Sequence, residues 1–497
     1  MMAAMTRDNG TWHVPGDGDA ESREVVVIGG GIAGLAAAWR LRDRDVVLLE
    51  ADERLGGRLR SDRRGDYWMN YGAHLFPGPG TLVDTMARDC GLKTMPVTGS
   101  MMGLALGSTL LSRGRVETYP FRLPLSVRER VAFATAGLRV QRAVAEYHRV
   151  ASPAPGESPA DVRARVLAFE DDRTFSDFLG VLPPAVEAIF SCAAHRATGE
   201  LSELSSGCGI GLFARVWGGK RSMITRNLLG GTGQLPAALG RVLGARARTG
   251  CTVSGLRPDG AELVVDHRAE GDVRRIRARH VIVAAQAPLA APLVAPVANR
   301  AAVALGQMTY GSFLSVAVET SEAAVMPWDT VYAMGTPGRV FDMFTNQAHA
   351  LRSGGERRRG GSLMLFAGGR GAAALLRESD EAITERFLSD LHDLYPQTRG
   401  VIVDATVQRW ALGNVYARPG RQRLQAPLEG ALGAHRNLHL AGDYFVELGN
   451  MEAAARTGVV DAERVESQLR GRPTRLAGGD RMTPSLSRLP QNEVHRA

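Results

Sequence analysis

EVVVIGGGIAGLAAAWRLRDRDVVLLE, residues 24–50, is the stretch that decides the fold of this chain. An apolar run, Val25–Ile28, leads through a glycine-rich turn into a predicted helix, Ile32–Leu41. A second apolar run, 46–49, then ends at Glu50. Strand, turn, helix and strand in this order form the βαβ unit of a dinucleotide-binding fold. The alternative is a glycine-rich turn in an unrelated α/β protein.

The glycines of this turn have the spacing Gly29-x-Gly31-x-x-Gly34. Gly29 permits the tight turn, Gly31 lets the backbone approach a pyrophosphate, and Gly34 lets helix and strand pack closely. The free N–H groups at the helix N-terminus attract the phosphates. Glu50 would accept hydrogen bonds from ribose hydroxyls and repel a 2′-phosphate, which favours FAD or NAD over NADP. The residues predicted to line this site are Gly29, Gly31, Ile32, Ala33, Gly34, Glu50 and Ala51.

A second glycine pair follows shortly afterwards, in Arg54-Leu-Gly56-Gly57-Arg58. Exposed backbone N–H groups and a guanidinium suit a further contact to phosphates. By itself this pattern is also compatible with a basic surface turn. Beside the first fingerprint it adds Gly57 and Arg58 to the predicted cofactor site.

The 497 residues have the composition of an ordinary globular protein, with 44% apolar and 23% charged residues. This excludes wholesale disorder, collagen and a coiled coil, and the length predicts about three domains, or two with one of them discontinuous. The formal net charge is +8, and almost all of the positive charge is arginine, since Lys93 and Lys220 are the only lysines. An arginine-rich genome explains this, with an anionic ligand or membrane surface as the alternative. No basic run is interleaved with aromatic residues, so we expect no nucleic-acid partner.

The four cysteines, Cys90, Cys192, Cys208 and Cys251, lie far apart without a CxxC pair. They form neither a zinc site nor a disulfide framework, which suits a reducing compartment, and no metal site is predicted. Residues 1–22 are polar and lack the apolar segment of a signal peptide, and no apolar run is long enough to span a membrane. We therefore expect a cytoplasmic protein, with peripheral membrane contact and the oligomeric state left open.

Five blocks of this chain, in the right order, resemble the FAD-dependent flavin amine oxidase superfamily, which contains the monoamine oxidases, protoporphyrinogen oxidases and phytoene/squalene desaturases. The first block joins the two glycine fingerprints. The others are NYGAHLF at 70–76, LLGGTGQLPAALGRVL with CTVSGL and HVIVAAQAP, RWALGNVYARPG at 409–420, and LHLAGDYFVELGNMEAAARTGVVDAERV at 438–465. The likeness covers residues 24–470 in blocks.

The resemblance and the changes of pattern along the chain predict an α/β protein: a discontinuous, Rossmann-like FAD-binding domain with an inserted α+β substrate domain of antiparallel sheet plus helices. The predicted FAD-binding segments are 23–95, 215–300 and 405–470, and the substrate-domain segments are 96–214 and 301–404. The polar, Pro/Gly-rich ends, 1–22 and 471–497, are predicted to be disordered tails. Within the insert, 126–150 is typical of one long helix.

The resemblance implies FAD as the cofactor and assigns further residues to it. At the flavin ring, Gly72 and Ala73 match the backbone beside N5, with His74 next in the loop, and Met451 heads the helix that faces the C2 carbonyl. Along the rest of the cofactor, Val253 matches the adenine contact, and Ala284 and Ala285 match the strand end that runs past the pyrophosphate. Gly442 and Asp443 match the pair at the phosphate and the ribityl group. No cysteine follows Cys251, so we expect non-covalent FAD rather than a thioether to the C-terminal segment.

The implied reaction is dehydrogenation of a small organic substrate at a C–C or C–N bond, by hydride transfer from carbon to flavin N5, with O₂ or another acceptor reoxidising the flavin. The lysine of monoamine oxidases is missing, because the corresponding strand reads YGSFLSV at 310–316 and no lysine lies beyond Lys220. This favours desaturase-like or porphyrinogen-oxidase-like chemistry over amine oxidation. One alternative is a non-redox flavoenzyme of the UDP-galactopyranose mutase type, since its Gly-x-His-x-Phe-like segment also matches Gly72–Phe76. Another is a catalytically silent flavin protein.

The candidate catalytic residues are His74, Trp410 and Tyr416, and each has a structural alternative. His74 is an acid/base or shapes the cofactor loop. Trp410 lies beside the isoalloxazine or packs the core. Tyr416 forms an aromatic cage for an amine together with Tyr444, or both are ordinary core. The remaining candidates for the cavity, with core packing or a solvated face as the alternative, are Tyr310, Phe313, Arg215 and Arg221.

Overall fold

A computed structural model describes residues 20–97, 101–217, 224–352 and 357–471 of the chain. Residues 1–19 and 472–497, which make up most of the two predicted tails, lie outside the described residues. Arg221 and the side chain of Arg215, both cavity candidates, lie outside them as well.

The described chain contains nineteen strands and sixteen α-helices, here numbered in chain order. The strands are β1 Glu21–Ile28, β2 Val46–Leu49, β3 Ser61–Arg64, β4 Tyr67–Asn70, β5 Phe76–Pro77, β6 Thr94–Pro96, β7 Gly103–Leu106, β8 Thr109–Leu111, β9 Ile224–Leu228, β10 Ala247–Arg248, β11 Thr252–Asp259, β12 Glu262–Ala269, β13 Asp272–Val283, β14 Tyr310–Thr320, β15 Ala333–Gly335, β16 Met343–Asn346, β17 Gly361–Gly368, β18 Ile402–Val415 and β19 Leu438–Leu440.

The helices are α1 Ile32–Arg40, α2 Leu82–Asp89, α3 Tyr119–Arg122, α4 Val127–Ala151, α5 Pro159–Ala168, α6 Phe175–Leu179, α7 Pro184–Ala194, α8 Ser206–Trp217, α9 Gln234–Leu243, α10 Ala287–Val294, α11 Asn299–Gly306, α12 His349–Arg352, α13 Gly369–Leu375, α14 Asp380–Leu394, α15 Gln425–Ala434 and α16 Met451–Leu469.

The first sheet has the strand order β10-β2-β1-β13-β12-β11, and β19 also pairs with β13. β1 is parallel to β2 and β13, and β19 is parallel to β13. Parallel strands need cover on both faces. Residues of α1, α9 and α16 pack on one face, and residues of α10 and α11 on the other. The parallel strands come from three separated stretches of chain, so this α/β unit is discontinuous.

The second sheet has the order β18-β14-β17-β16-β15-β7-β8 and is antiparallel except between β15 and β7. Its outer face packs against α14, for example through Val316 and Phe387. Its inner face meets β4, where Ser315 Oγ donates to the Tyr71 carbonyl at 2.8 Å and Ser362 Oγ donates to the Trp68 carbonyl at 2.8 Å. The inner face therefore lies against the part of the chain that follows the second glycine pair.

A helical layer, α3–α8, lies between β8 and β9 in the chain and packs beside the second sheet. Its longest member, α4, begins at Val127 because Ser126 and Glu129 form a capping box at its N-terminus. The prediction of a helix over 126–150 is confirmed to within one residue at each end. In the described segments, none of the helices combines the length and apolar character that crossing a membrane requires.

The predicted fold class is confirmed: an α/β unit with a parallel sheet and an α+β unit with an antiparallel sheet plus helices. Strand β1 begins at Glu21, two residues before the predicted domain start, because Glu21 and Ser22 pair with Ile276 and Arg277 of β13. Strand β18 runs across the predicted boundary at 404/405. The exact division into domains stays a prediction.

Candidate active site

The turn between β1 and α1 forms a cradle at the carboxyl end of the parallel strands. Gly29 has a φ of +105°, which glycine adopts readily. A Cβ on Gly34 would lie 1.9 Å from the Gly29 carbonyl oxygen, so the close packing expected there is present. A Cβ on Gly31 would meet nothing within 4 Å. Among the described residues no side chain caps α1, so its first N–H groups face this opening. The cradle therefore has the backbone donors and the space that a pyrophosphate needs.

Glu50 lies at the edge of this cradle and is held by the backbone. Its carboxylate accepts hydrogen bonds from Gly30 N at 2.5 Å and from Asp52 N at 2.9 Å. Each oxygen keeps lone-pair capacity for a hydroxyl donor. Glu50 also bonds through its own backbone to Arg248 and Cys251, which ties β2 to the start of β11 near Val253. Ala51 is exposed beside it. This arrangement fits a ribose between Glu50 and the strand edge.

The second glycine motif, Gly56–Gly57, packs against the turn that contains the first glycine fingerprint. Gly56 N donates to the Gly30 carbonyl at 2.8 Å, and Gly57 has a φ of +52°. Arg54 Nη2 donates to the Gly57 carbonyl at 2.7 Å, so this arginine supports the loop. The two fingerprints thus form one continuous wall of backbone.

Arg58 and Asp443 form an ion pair beside this wall, with Arg58 Nη1 2.7 Å from Asp443 Oδ2. Burial opposes the charge of Arg58, but the Asp443 carboxylate outweighs it and raises the pKa of the guanidinium. The pair explains how a carboxylate can stand near phosphates: its charge is already neutralised by Arg58. Tyr310 Oη lies 3.5 Å from Asp443 Oδ1 and donates toward it. Gly442 N, next to Asp443, donates to Thr457 Oγ1 at 2.9 Å.

The loop Gly72–His74 continues the site toward the second sheet. A Cβ on Gly72 would lie 2.1 Å from the Arg58 carbonyl oxygen, so the two backbones touch. Ala73 N donates to the same carbonyl at 3.1 Å, and Thr232 Oγ1 donates to the Ala73 carbonyl at 2.8 Å. At the opposite side, Asn450 caps α16 by accepting from Ala453 N at 2.9 Å, which leaves the earlier amides of this helix, from Met451 on, without that cap.

His74 has one ring nitrogen bonded and the other open. Nδ1 lies 3.0 Å from the Gly72 carbonyl oxygen, which accepts only, so Nδ1 carries the hydrogen. Nε2 is buried and has no hydrogen-bond partner in the described chain. Burial lowers the pKa of His74, so the ring is neutral at pH 7. A neutral imidazole with a free acceptor nitrogen can take up a proton.

Trp410 forms an aromatic wall at the end of this loop. Its Nε1 donates to the Tyr71 carbonyl at 2.8 Å. Its ring stacks on Phe313 with centroids 6.4 Å apart, and Phe313 in turn contacts Phe366 at 4.7 Å. Trp410, Phe313 and Phe366 are only partly buried, so the wall presents apolar surface beside Gly72.

Tyr416 and Tyr444 both lie in the core, which is the structural alternative to an aromatic cage. Tyr416 is 4% exposed and donates through Oη to Glu203 Oε2 at 2.9 Å, inside the core of the helical layer. Tyr444 is fully buried and donates to the Ala441 carbonyl at 3.2 Å. Packing buries the surface of both rings. The sequence could not reveal this, because aromatic residues occur both in protein cores and in ligand cavities.

The cradle at the strand ends, extended by an aromatic wall, is the arrangement expected of a dinucleotide-binding protein with two sheets. The chain belongs to the family of flavin containing amine oxidoreductases, whose model matches residues 32–466. Its family is therefore one of flavin-containing oxidoreductases. The open cradle at Gly31 and the neutralised Asp443 fit an FAD bound along this wall.

Individual relatives match over shorter stretches. Coproporphyrinogen III oxidase of Staphylococcus aureus is 34% identical over 83 residues, 16% of this chain and 18% of that protein. L-amino acid oxidase Cdc18 of Crotalus durissus cumanensis is 40% identical over 73 residues, 14% of this chain and 15% of that protein. Among solved structures, cyclohexylamine oxidase from Brevibacterium oxydans has a TM-score of 0.70 and 18% identity, covering 90% of this chain and 99% of that one. The matches to the two sequence relatives span less than a fifth of their length, and the structural likeness supports the fold.

Sequence reasoning assigned no role to Thr232, which lies within the third block. Its Oγ1 donates to the Ala73 carbonyl at 2.8 Å and so supports the Gly72–His74 loop.

Proposed function

We propose that this enzyme oxidises a small organic substrate at a C–C or C–N bond, with non-covalent FAD as the immediate electron acceptor and O₂ or another compound as the final one. The observation that carries the proposal is the continuity of the phosphate cradle at Gly31 with the His74 loop and the aromatic wall. When bound, FAD supplies a two-electron acceptor for hydride from the substrate carbon.

The cofactor-binding residues have separate tasks in this proposal. The α1 N-terminus and the glycine pair at 56–57 hold the pyrophosphate, and Glu50 holds the adenosine ribose. Asp443, with its charge balanced by Arg58, accepts from ribityl hydroxyls. FAD stays non-covalent because no cysteine lies beyond Cys251 in the chain.

The substrate-facing residues position the molecule and exclude water. Trp410, Phe313 and Phe366 offer apolar surface to the substrate body. His74 Nε2 accepts the proton that the substrate releases, since the nitrogen is unprotonated at neutral pH.

The choice between C–C and C–N oxidation depends on the strand β14. The strand region that carries lysine in monoamine oxidases reads YGSFLSV at 310–316 here, and its Ser315 is buried and donates to the Tyr71 carbonyl. Without a basic amine at this place we favour porphyrinogen-like or polyene-like substrates, and amine oxidation is the second outcome of the test below.

The test begins with the visible spectrum of the purified protein, which should show a flavin band. Acid precipitation should release the yellow colour into the supernatant, because the cofactor is non-covalent. Anaerobic mixing with amines, porphyrinogens and polyenes should then bleach the band with one class. A Gly31→Val variant, whose side chain fills the cradle without displacing a neighbour, should fold but purify colourless.

A wild-type protein that folds without binding FAD would overturn the proposal. Turnover of a nucleotide sugar that needs a reductant but consumes none would overturn it in favour of the mutase alternative.

A further inference from the structure

A cavity separate from the candidate active site opens between helix α11 and residues 418–424, which follow β18. Its volume is about 540 Å³, a size typical of small-molecule sites. Arg300, Val303 and Ala304 form one wall, because their spacing places them on one face of α11. None of the described residues that line the cavity belongs to the phosphate cradle, the Gly72–His74 loop or the aromatic wall. It is therefore a further candidate binding site.

The charge on the lining of this cavity is entirely positive. In the described chain its charged lining residues are Arg300, Arg418, Arg421 and Arg423. Arg300 and Arg423 are exposed, and within the described ranges neither guanidinium forms an ion pair or a hydrogen bond. Two guanidinium groups are therefore available to a ligand.

Two carboxylates lie behind the lining and balance part of its charge. Glu203 Oε1 is 3.5 Å from Arg418 Nη2 and is closer, at 2.9 Å, to Arg370 Nη2. The Asp171 carboxylate accepts hydrogen bonds from the backbone N–H groups of residues 421–422 at 3.2 and 3.0 Å. The other two arginines of the lining have no carboxylate partner of their own, which leaves an excess of two positive charges.

The wall formed by residues 418–424 is held in place by its own contacts. Arg421 is 4% exposed, and its Nη2 donates to the Tyr444 carbonyl. Its Nε is buried without a hydrogen-bond partner among the described residues. Burial lowers the pKa of this guanidinium to about 10, so it is still a cation at neutral pH. Gly420 has a φ of +80°, and a Cβ there would lie 2.2 Å from Arg423 Nη2, so the Arg423 guanidinium packs against this glycine.

We propose that this cavity binds a small organic dianion with an apolar part, either a phosphate monoester or a dicarboxylate. Guanidinium groups offer paired N–H donors that match the oxygens of both anions. Val303, which is 54% exposed, supplies apolar contact area together with Leu424 and Pro427. The site goes beyond the proposed function, and it gives a specific place to part of the net charge of +8.

The experiment measures binding to the FAD-loaded enzyme by isothermal titration calorimetry at about pH 8, where a phosphate monoester is a dianion. The probes are phenyl phosphate and phthalate, which distinguish a phosphate ester from a dicarboxylate, compared with the monoanion benzoate and with neutral phenol. Wild type should bind at least one dianion more tightly than benzoate and phenol. Arg300→Met and Arg423→Met should each weaken that binding by about 10-fold or more.

The matched control is Arg399→Met, which removes one exposed arginine outside the cavity, 3.7 Å from Asp393, and so changes the net charge by the same amount. It should bind the dianions as wild type does. FAD content and melting temperature show whether each variant folds, and the two exposed cavity arginines give two independent tests.

The proposal is overturned if neither dianion binds better than benzoate, or if both cavity variants keep the affinity of wild type. It is also overturned if Arg399→Met weakens binding as much as they do, because the effect would then be one of net charge. A colourless wild type would overturn the proposed function, and the response of the cavity variants would still decide whether this site binds dianions.

Discussion

The substitution Gly34→Ala tests whether backbone contact at the first turn holds the cofactor cradle together. The new methyl carbon would lie 1.9 Å from the Gly29 carbonyl oxygen. Contacts between such atoms essentially never fall below 3.0 Å, so the backbones must separate by about 1.1 Å. Helix α1 cannot retreat, because α16 touches it from the other side: a Cβ on Gly458 would lie 2.0 Å from the Ala33 carbonyl oxygen.

The expected cost follows from two opposing effects. Overpacking a core costs about 1–3 kcal/mol, and a clash between two backbones belongs at the upper end. Alanine regains about 1 kcal/mol of helix propensity over glycine. The net loss is therefore about 2 kcal/mol or more, together with a displaced pyrophosphate cradle. We expect a melting temperature about 2 °C lower and a reduced FAD content per chain.

Gly137→Ala is the matched control, since it makes the same change inside another helix, α4. A Cβ on Gly137 would meet nothing within 4 Å. This variant should gain up to about 1 kcal/mol and keep its full FAD content. The two melting curves should thus move in opposite directions. If Gly34→Ala melted with wild type and bound FAD fully, the packing argument would be refuted.

Three further perturbations address other parts of the molecule. Asp443→Asn leaves the Arg58 guanidinium without its buried charged partner. The free energy of unfolding in denaturant should therefore fall by about 2–4 kcal/mol, and the protein should retain less FAD. Unchanged FAD retention would contradict the role of this pair. Burial lowers the pKa of His280 to about 4 and the pKa of His439 to about 3. The unfolded chain binds protons below about pH 6.5 and the folded chain does not, so stability should fall as the pH drops from about 6.5 toward 4, by at most about 1.4 kcal/mol per pH unit for each histidine. His439→Gln should flatten this slope, and an unaltered slope would contradict the assignment. Tyr416→Phe should cost about 1 kcal/mol and leave turnover unchanged, whereas a tenfold loss of kcat would return Tyr416 to the active site.

The strand–turn–helix unit at 24–50 could be predicted from the sequence because its determinants are local. Gly29 and Gly34 lie five residues apart, and their turn geometry depends on backbone freedom that only glycine has. The same holds for the capping box of Ser126 and Glu129 at the start of α4. Short-range rules of this kind need no knowledge of the remaining chain.

The roles of single aromatic and charged side chains could not be predicted in the same way. Tyr416 and Phe313 lie on neighbouring segments of one sheet region, yet one is sealed in the helical core and the other borders the cavity. Which of the two faces a ligand depends on the packing of the helical layer. The sequence carries no periodic signal for that packing.

By itself, the sequence determined the βαβ unit and its glycine turn, since both depend on residues close together in the chain. The tertiary structure decided that Arg58 neutralises Asp443 from 385 positions away. Contacts between distant segments form only when whole layers pack, because burial and charge compensation are properties of the assembled interior.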